Sequence, residues 1–493
     1  MLIPARRVTQ ALTAEFARLM PLIADSGTEA SSAQAIAHAL ALLRAREAGG
    51  GATIAAMAEA LAGRVGEIRV LLGPEADAIG RSLDNAVAAA RAASDIADRE
   101  SAWRSVLTAA EDLLALSIDA KLTAAERACL CASLTEPESA DIRTDLAVAD
   151  QDDDAPSFNI TAASLEEYLR DRFDEPRLTV TSFLPLAGGF GKQTTIFAVD
   201  GKALSGELVM RRDMGANAAL ANDCHLIARE YPVIKAAHAR GFPAPEALWL
   251  DTDHRLLPGG DFLVMRKSSG VLGGNFFGAQ TAIPDDLAEA LADIAARLHA
   301  LPPLIELGDL ASFIRTDLWQ LDRREAVTRY IREWYDFYRS EVHTPSPALT
   351  AIYGWLLHNV PERRGRPSLI HGDIGFHNFL FDGGKLNAVL DWEFAHIGDP
   401  AEELGYIAVT VGGALDWPRF MARYVAAGGE TVDESTLRFF KIWAFARNAS
   451  GANILSARFD SGAVDDLKLT ILPHHHFANF ISAAEALIAS PAH

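Results

Sequence analysis

Two short runs between residues 369 and 393 hold the residues best able to do chemistry. Leu369-Ile370 is an apolar run of strand type that opens onto His371-Gly372-Asp373-Ile374-Gly375-Phe376-His377-Asn378 and resumes as Phe379-Leu380. After the turn Asp382-Gly383-Gly384-Lys385, a second run, Leu386-Asn387-Ala388-Val389-Leu390, ends abruptly in Asp391-Trp392-Glu393. Polar side chains at strand ends beside tight turns mark a site and not a core. Asp373 and Asn378 stand five apart, and Asp391 follows eighteen residues after Asp373. Phosphoryl transfer wants such a set: a carboxylate to orient and deprotonate a hydroxyl, and hard oxygen ligands to hold Mg²⁺ against phosphates. A second chemistry stays open. His371, Asp373, His377 and Asp391 combine imidazole and carboxylate in a way that suits a binuclear zinc or manganese hydrolase.

The spacing resembles the His-Arg-Asp-x-x-x-x-Asn loop of kinases, with Asp391 at the strand end where a kinase places its metal-binding Asp. With Asp391-Trp392-Glu393 and Ile397-Gly398-Asp399-Pro400 following in order, the chain is similar to the aminoglycoside phosphotransferase and choline kinase-like family over about residues 175–480. That resemblance implies a two-lobed α+β protein kinase-like fold, ATP as phosphate donor, Asp373 as catalytic base, and Asn378 and Asp391 as Mg²⁺ ligands. Beside them Glu393 is either a further metal ligand or a carboxylate that supports the ligands, and Asp399 is a brace for the catalytic loop. His371 and His377 are expected to orient the loop, because Asp373 already fills the base role.

The elements that must position this set lie upstream. Strand-type residues 178–184 precede Gly188-Gly189-Phe190-Gly191-Lys192-Gln193-Thr194-Thr195, and Ile196–Val199 leads into the turn Asp200-Gly201. A glycine-rich turn between strands lets backbone N–H groups approach phosphates, although a plain hairpin turn reads the same way. No Gly-Lys-Ser/Thr opens a helix, so it is not a Walker A loop. In the next strand, residues 207–212, alternation puts Val209 and Arg211 on one face; the resemblance implies Arg211 on the phosphates, in place of the kinase Lys, and Val209 over the adenine. A helix is expected over about 218–239. There Glu230 shares a face with Leu226, Val233, Ile234 and Ala237 and so requires a cation, for which Arg211 is the candidate. Pro232 within that helix removes a hydrogen bond. Met265, Arg266 and Lys267, where a strand empties into Ser268-Ser269-Gly270, stand at the position of a kinase hinge.

At 493 residues the chain is long enough for two or three domains. Its formal net charge of −21 argues against nucleic acid or an anionic membrane as a partner. Cys129, Cys131 and Cys224 read as ordinary thiols, and neither a signal peptide nor a membrane-length apolar run is legible, so a cytoplasmic protein is expected. Residues 1–134 are rich in Ala and Leu at helical spacing: Val8, Leu12, Phe16, Leu19 and Leu22 share a face, whereas the helix carrying Ser105, Leu107, Ala110, Leu113 and Leu114 is only partly amphipathic. An all-α bundle for docking or self-association is expected there. The acidic stretch 135–157, with Asp150-Gln151-Asp152-Asp153-Asp154, reads as a linker. Residues 158–267 form the expected N-lobe and 268–493 a helical C-lobe, with helices over about 401–411, 434–457 and 465–489. Trp319, Tyr330, Trp334, Tyr335, Phe337 and Tyr338 read as core first and as acceptor-pocket lining second. His474-His475-His476 cannot form one site, because consecutive residues do not share a helix face.

The reading is an ATP- and Mg²⁺-dependent phosphotransferase acting on the hydroxyl of a small molecule, either an aminoglycoside-like antibiotic or a metabolite such as a hydroxyacyl-CoA compound. A nucleotide-binding regulatory module and the binuclear hydrolase are the alternatives.

Overall fold

A computed structural model of the chain describes residues 8, 11, 54–66, 68–70, 72–120, 122–123, 127, 160–186, 192–213, 226–253, 260–273, 283–303, 316–341, 343–461 and 468–490. Gly188, Gly189, Phe190 and Gly191 lie outside the described residues, as do the acidic stretch 135–157 and most of the first fifty residues. The chain divides into two compact units, one of residues 1–151, 327–362 and 434–493, the other of 152–326 and 363–433.

The second unit is built on five antiparallel strands, β1 (Thr179–Leu186), β2 (Lys192–Asp200), β3 (Gly206–Asp213), β4 (Ala247–Asp251) and β5 (Phe262–Arg266), in the order β1-β2-β3-β5-β4. Alternation gives each strand two faces. One face sends Phe197, Val199, Leu208, Met210, Phe262 and Val264 into a core with Leu165, Tyr168 and Leu169 of the helix Ala162–Phe173. A capping box between Thr161 and Ser164 starts that helix. The Glu166 carboxylate then accepts the Val180 N–H at 2.8 Å, fixing the helix to β1. The register sets Ile196, Val209 and Met265 in one cross-strand row and Thr194, Arg211 and Leu263 in the next. The helix Ile227–Ala239 packs against β3, β4 and β5. Pro232 stands inside it, and the helix continues through that position.

Five short strands follow: β6 (Val271–Leu272), β7 (Ser368–Ile370), β8 (Phe379–Asp382), β9 (Lys385–Val389) and β10 (His396–Gly398). β6, β8 and β9 form one small sheet, and β7 pairs with β10. The linking segment after β5 is pinned to this sheet, because Asn387 Nδ2 donates to the Ser269 carbonyl at 2.8 Å. The Val389 N–H likewise donates to the Pro243 carbonyl at 2.7 Å. The helices Asp285–His299, Pro400–Thr410 and Trp417–Ala426 complete the unit. The last was not anticipated, although Asp416 caps it and Pro418 sits in its first turn.

In the first unit the helix Ile96–Ile118 packs against Asp77–Ala92 and against Pro347–His358, and Glu434–Ser461 packs along Lys468–Ala489. The sequence reading set residues 1–134 apart from a C-lobe over 268–493; by contacts, N-terminal helices share a unit with 327–362 and 434–493. Glu111 shows why. Its side chain is 1% exposed, and it accepts from Tyr338 Oη at 2.7 Å, Ser346 N at 3.1 Å, Thr350 Oγ1 at 3.2 Å, Arg339 Nη1 at 2.7 Å and His343 Nε2 at 3.1 Å. Burial opposes the charge on this carboxylate, but His343 and Arg339 outweigh it and hold its pKa below the usual range. Tyr330, Trp334, Tyr335, Phe337, Tyr338, Tyr353 and Trp443 make a net of ring contacts within the same unit.

Candidate active site

The loop between β7 and β8 turns at Gly372, whose φ of +80° favours glycine, and passes through a single 3-10 turn, Phe376–Asn378. His371 ties the loop to the end of β9. Its Nδ1 accepts the Asp373 N–H at 3.3 Å and its Nε2–H donates to the Leu390 carbonyl at 2.9 Å. Both ring nitrogens are used, which requires the neutral ring, and complete burial pushes its pKa down to about 4. The Leu390 N–H returns to the Asn378 carbonyl at 2.8 Å, so Asp373, Asn378 and Asp391 stand on one hydrogen-bonded frame.

Asp373 is held on both oxygens. Asn378 Nδ2 donates to its Oδ2 at 3.0 Å and to its carbonyl at 2.9 Å. His377 Nε2 lies 3.4 Å from Oδ2, and Tyr406 Oη donates to Oδ1. Burial alone would raise this carboxyl's pKa; the hydrogen bonds from His377 and Tyr406 more than reverse it and hold the group below its ordinary value. The loop backbone is gripped by Glu403, which is fully buried and accepts the N–H groups of His371 at 2.7 Å and Gly372 at 3.1 Å. Burial pushes the Glu403 carboxyl up to about 7. Asp399, expected to brace this loop, instead caps the helix Pro400–Thr410 by accepting the Ala401 N–H at 2.9 Å, and receives Arg363 Nε at 2.7 Å. Glu403 and Tyr406 were missed, and the signal available for them was a carboxylate and a phenol on the turns that follow a capped Asp-Pro start.

Arg211 and Glu230 meet as expected. Arg211 donates to Glu230 Oε1 through Nη1 and to Asp391 Oδ1 through Nη2 at 2.8 Å, and lies 4.0 Å from Glu393 Oε2. Glu230 is 0% exposed and Asp391 35%. Asp391 adopts a left-handed conformation, φ +61°, unusual for a residue with a side chain and of the kind found where a site over-determines the backbone. Three carboxylates thus share one guanidinium, and burial together with the Asp391 charge pushes Glu393 up to about 8. That surplus of negative oxygen donors beside the Asn378 amide has the donor chemistry of a Mg²⁺ site. Among the described residues, no group of three or more His, Cys, Asp or Glu side chains is placed to hold a metal. With both His371 nitrogens engaged, the binuclear arrangement lacks one of its four ligands.

Lys192 opens β2 opposite Asp213, and its Nζ lies 2.6 Å from Asp213 Oδ1 in a buried pair. Asp213 also accepts the Ile227 N–H at 3.1 Å, joining the end of β3 to the start of the Glu230 helix. Met265, Arg266 and Lys267 stand at the exit of β5. The Arg266 N–H donates to the Glu246 carbonyl at 2.9 Å and the Lys267 N–H to the Glu207 carbonyl at 3.2 Å, so both amides are engaged by the sheet.

A capped catalytic-type loop, a strand-end carboxylate and an Arg–Glu pair reached from a five-stranded sheet define a kinase-like small-molecule phosphotransferase. The family model described as the phosphotransferase enzyme family matches residues 182–440, and the chain belongs to that family. Among curated proteins it is similar to acyl-CoA dehydrogenase family member 11 of Homo sapiens, 26% identical over 278 residues, which cover 54% of this chain and 32% of that protein. It is also similar to viomycin phosphotransferase of Streptomyces vinaceus, 38% identical over 66 residues, which cover 13% of this chain and 21% of that one. The chain spans about a third of the length of the acyl-CoA dehydrogenase family relative. Among solved structures, aminoglycoside phosphotransferase APH(4)-Ia aligns with a TM-score of 0.44 at 18% identity, covering 68% of this chain and 100% of that one. No helix among the described residues is long and apolar enough to cross a membrane.

Proposed function

We propose that the protein transfers the γ-phosphate of ATP to an alcohol hydroxyl of a small molecule, with Asp373 as the catalytic carboxylate and Asn378 and Asp391 as the Mg²⁺ ligands. The observation that carries this reading is the single frame in which His371, Asn378 and Leu390 join Asp373 to Asp391, with Arg211 and Glu230 closing the other side. Asp373, ionised and held on both oxygens, accepts the hydrogen bond of the acceptor hydroxyl, orients its lone pair toward phosphorus, and takes its proton as the new O–P bond forms. As it forms, the bond from the γ-phosphorus to the bridging oxygen breaks, and ADP leaves with that electron pair. Bound Mg²⁺ would supply charge neutralisation at the phosphate oxygens. The Nδ2 donors of Asn378 are turned to Asp373, which leaves its Oδ1 as the oxygen for the metal. Arg211 serves the phosphates, and Gly188, Gly189, Phe190, Gly191 and Lys192 are assigned to the same phosphate side from their place in the sequence, Lys192 being paired with Asp213. Val209 and Met265, in one cross-strand row, roof the base, and Met265–Lys267 border it through carbonyls and side chains, since the Arg266 and Lys267 amides are engaged.

In this reading residues 158–267 are the nucleotide side, and the N-terminal helices act in docking or self-association. The name of the mammalian relative favours an acyl-CoA-linked hydroxyl as acceptor, and that of the Streptomyces relative favours an antibiotic. Titration calorimetry with Mg-ATP tests the metal assignment. Wild type should bind, and Asp391→Ala should bind at least tenfold more weakly. Tight Zn²⁺ or Mn²⁺ binding with no nucleotide binding by wild type would overturn the proposal.

A further inference from the structure

We propose that Tyr406 is a positioning residue for phosphoryl transfer, fixing the rotation of the Asp373 carboxylate through its Oδ1. This inference rests on the phosphotransferase reading above. A carboxylate turns easily about its terminal torsion, which has broad minima. Asn378 and His377 both address Oδ2 and both come from the catalytic loop itself, so they move with it. The hydrogen bond on Oδ1 comes from a different element, the helix Pro400–Thr410. That helix already grips the loop's backbone through Glu403, and Tyr406 follows three residues later, on the same face. One rigid helix therefore fixes both the path of the loop and the orientation of its reactive side chain.

Tyr406 is 4% exposed. A phenol donating to a carboxylate away from water forms a charge-assisted bond, stronger than the same contact at a surface. A merely space-filling tyrosine would need its ring and not its hydroxyl. Phosphoryl transfer depends on alignment of the attacking oxygen, and loss of alignment by about 1 Å costs up to about 100-fold in rate.

The test is Tyr406→Phe, which keeps the ring, read by release of inorganic phosphate from Mg-ATP with water as the acceptor. Mg-ATP affinity and the melting midpoint are measured on the same samples. The expected result is a fall in kcat of about 10- to 100-fold, with KM for ATP and Mg-ATP affinity within about twofold of wild type and an unshifted midpoint. Placed on Asp373→Asn, the same change should cause no further loss, because the carboxylate it orients is gone. An unchanged kcat, or a fall in kcat matched by a rise in KM, or an equal fall in both backgrounds, would overturn the role of Tyr406. If phosphate release were indifferent to Asp373→Asn itself, the phosphotransferase reading and this inference would fall together.

Discussion

Replacing Arg211 by Met keeps most of the side chain's apolar stem and removes the guanidinium that Glu230 and Asp391 share. Glu230, 0% exposed, is then left with only the influence of Lys192, which is itself paired with Asp213, as positive charge. Breaking a buried pair from one side costs about 3–5 kcal/mol. Two features of the site place the cost at the low end. Asp391 is 35% exposed and keeps water; Glu230, whose pKa burial already raises, can take up a proton instead. The expected loss is about 3 kcal/mol at neutral pH, and less at pH 5, where protonation of Glu230 is easier. In a unit of this size 1 kcal/mol corresponds to about 2–4 °C, so thermal unfolding at pH 7.5 should show Tm lowered by about 6–12 °C. The double variant Arg211→Met with Glu230→Leu removes both charges, and apolar replacement of a buried pair is often neutral. It should recover most of that Tm but none of the lost Mg-ATP affinity. A Tm change under about 2 °C in the single variant, or a double variant that loses the sum of the two single losses, would refute the coupling.

Two further outcomes follow from the buried carboxylates. Glu403 has a folded-state pKa of about 7 against an ordinary 4.5, so the folded protein binds its proton more tightly than the unfolded chain. Its contribution is therefore greatest below about pH 4.5 and is lost as pH rises toward 7, a change of about 3 kcal/mol. Glu403→Gln should flatten that part of the stability–pH curve, and an unchanged slope would contradict the assignment. Glu111→Ala removes the acceptor of five donors in the first unit and should destabilise that unit by about 3–5 kcal/mol in denaturant unfolding, with a loss below about 1 kcal/mol as the contrary result.

What the sequence made legible is what short-range rules control. Asp373 and Asn378 lie in the loop that leads into the β8–β9 hairpin and Asp391 just beyond its end, so their ordered spacing carried the family resemblance that implied their roles. Arg211 was legible because the resemblance implied a phosphate-side cation on that strand and alternation put Arg211 on the face of Val209, and Glu230 because a carboxylate on an apolar helix face demands a cation. Glu403 and Tyr406 were not, since they reach the loop from a helix about thirty residues later through tertiary contacts that no periodicity reports. Asp399 was misread for the same reason: an Asp before Pro always offers a cap, and that local role absorbed it. Lys192, expected in the phosphate loop, opens β2 opposite Asp213, a cross-strand partner that its neighbours in sequence do not report. The helix Ile96–Ile118 looked only partly amphipathic because it is buried on several sides, with Glu111 satisfied by partners more than two hundred residues away.

The central claim is that the Asp373 frame moves phosphate to a hydroxyl. It is tested most directly by incubating the protein with γ-labelled ATP, Mg²⁺ and a pool of hydroxyl compounds that includes hydroxyacyl-CoA compounds and aminoglycosides. Wild type should give a labelled small molecule whose mass names the acceptor, and Asp373→Asn, still binding Mg-ATP, should give at least about 100-fold less. Equal labelling by the two proteins, or a wild type that binds no nucleotide, would contradict the account.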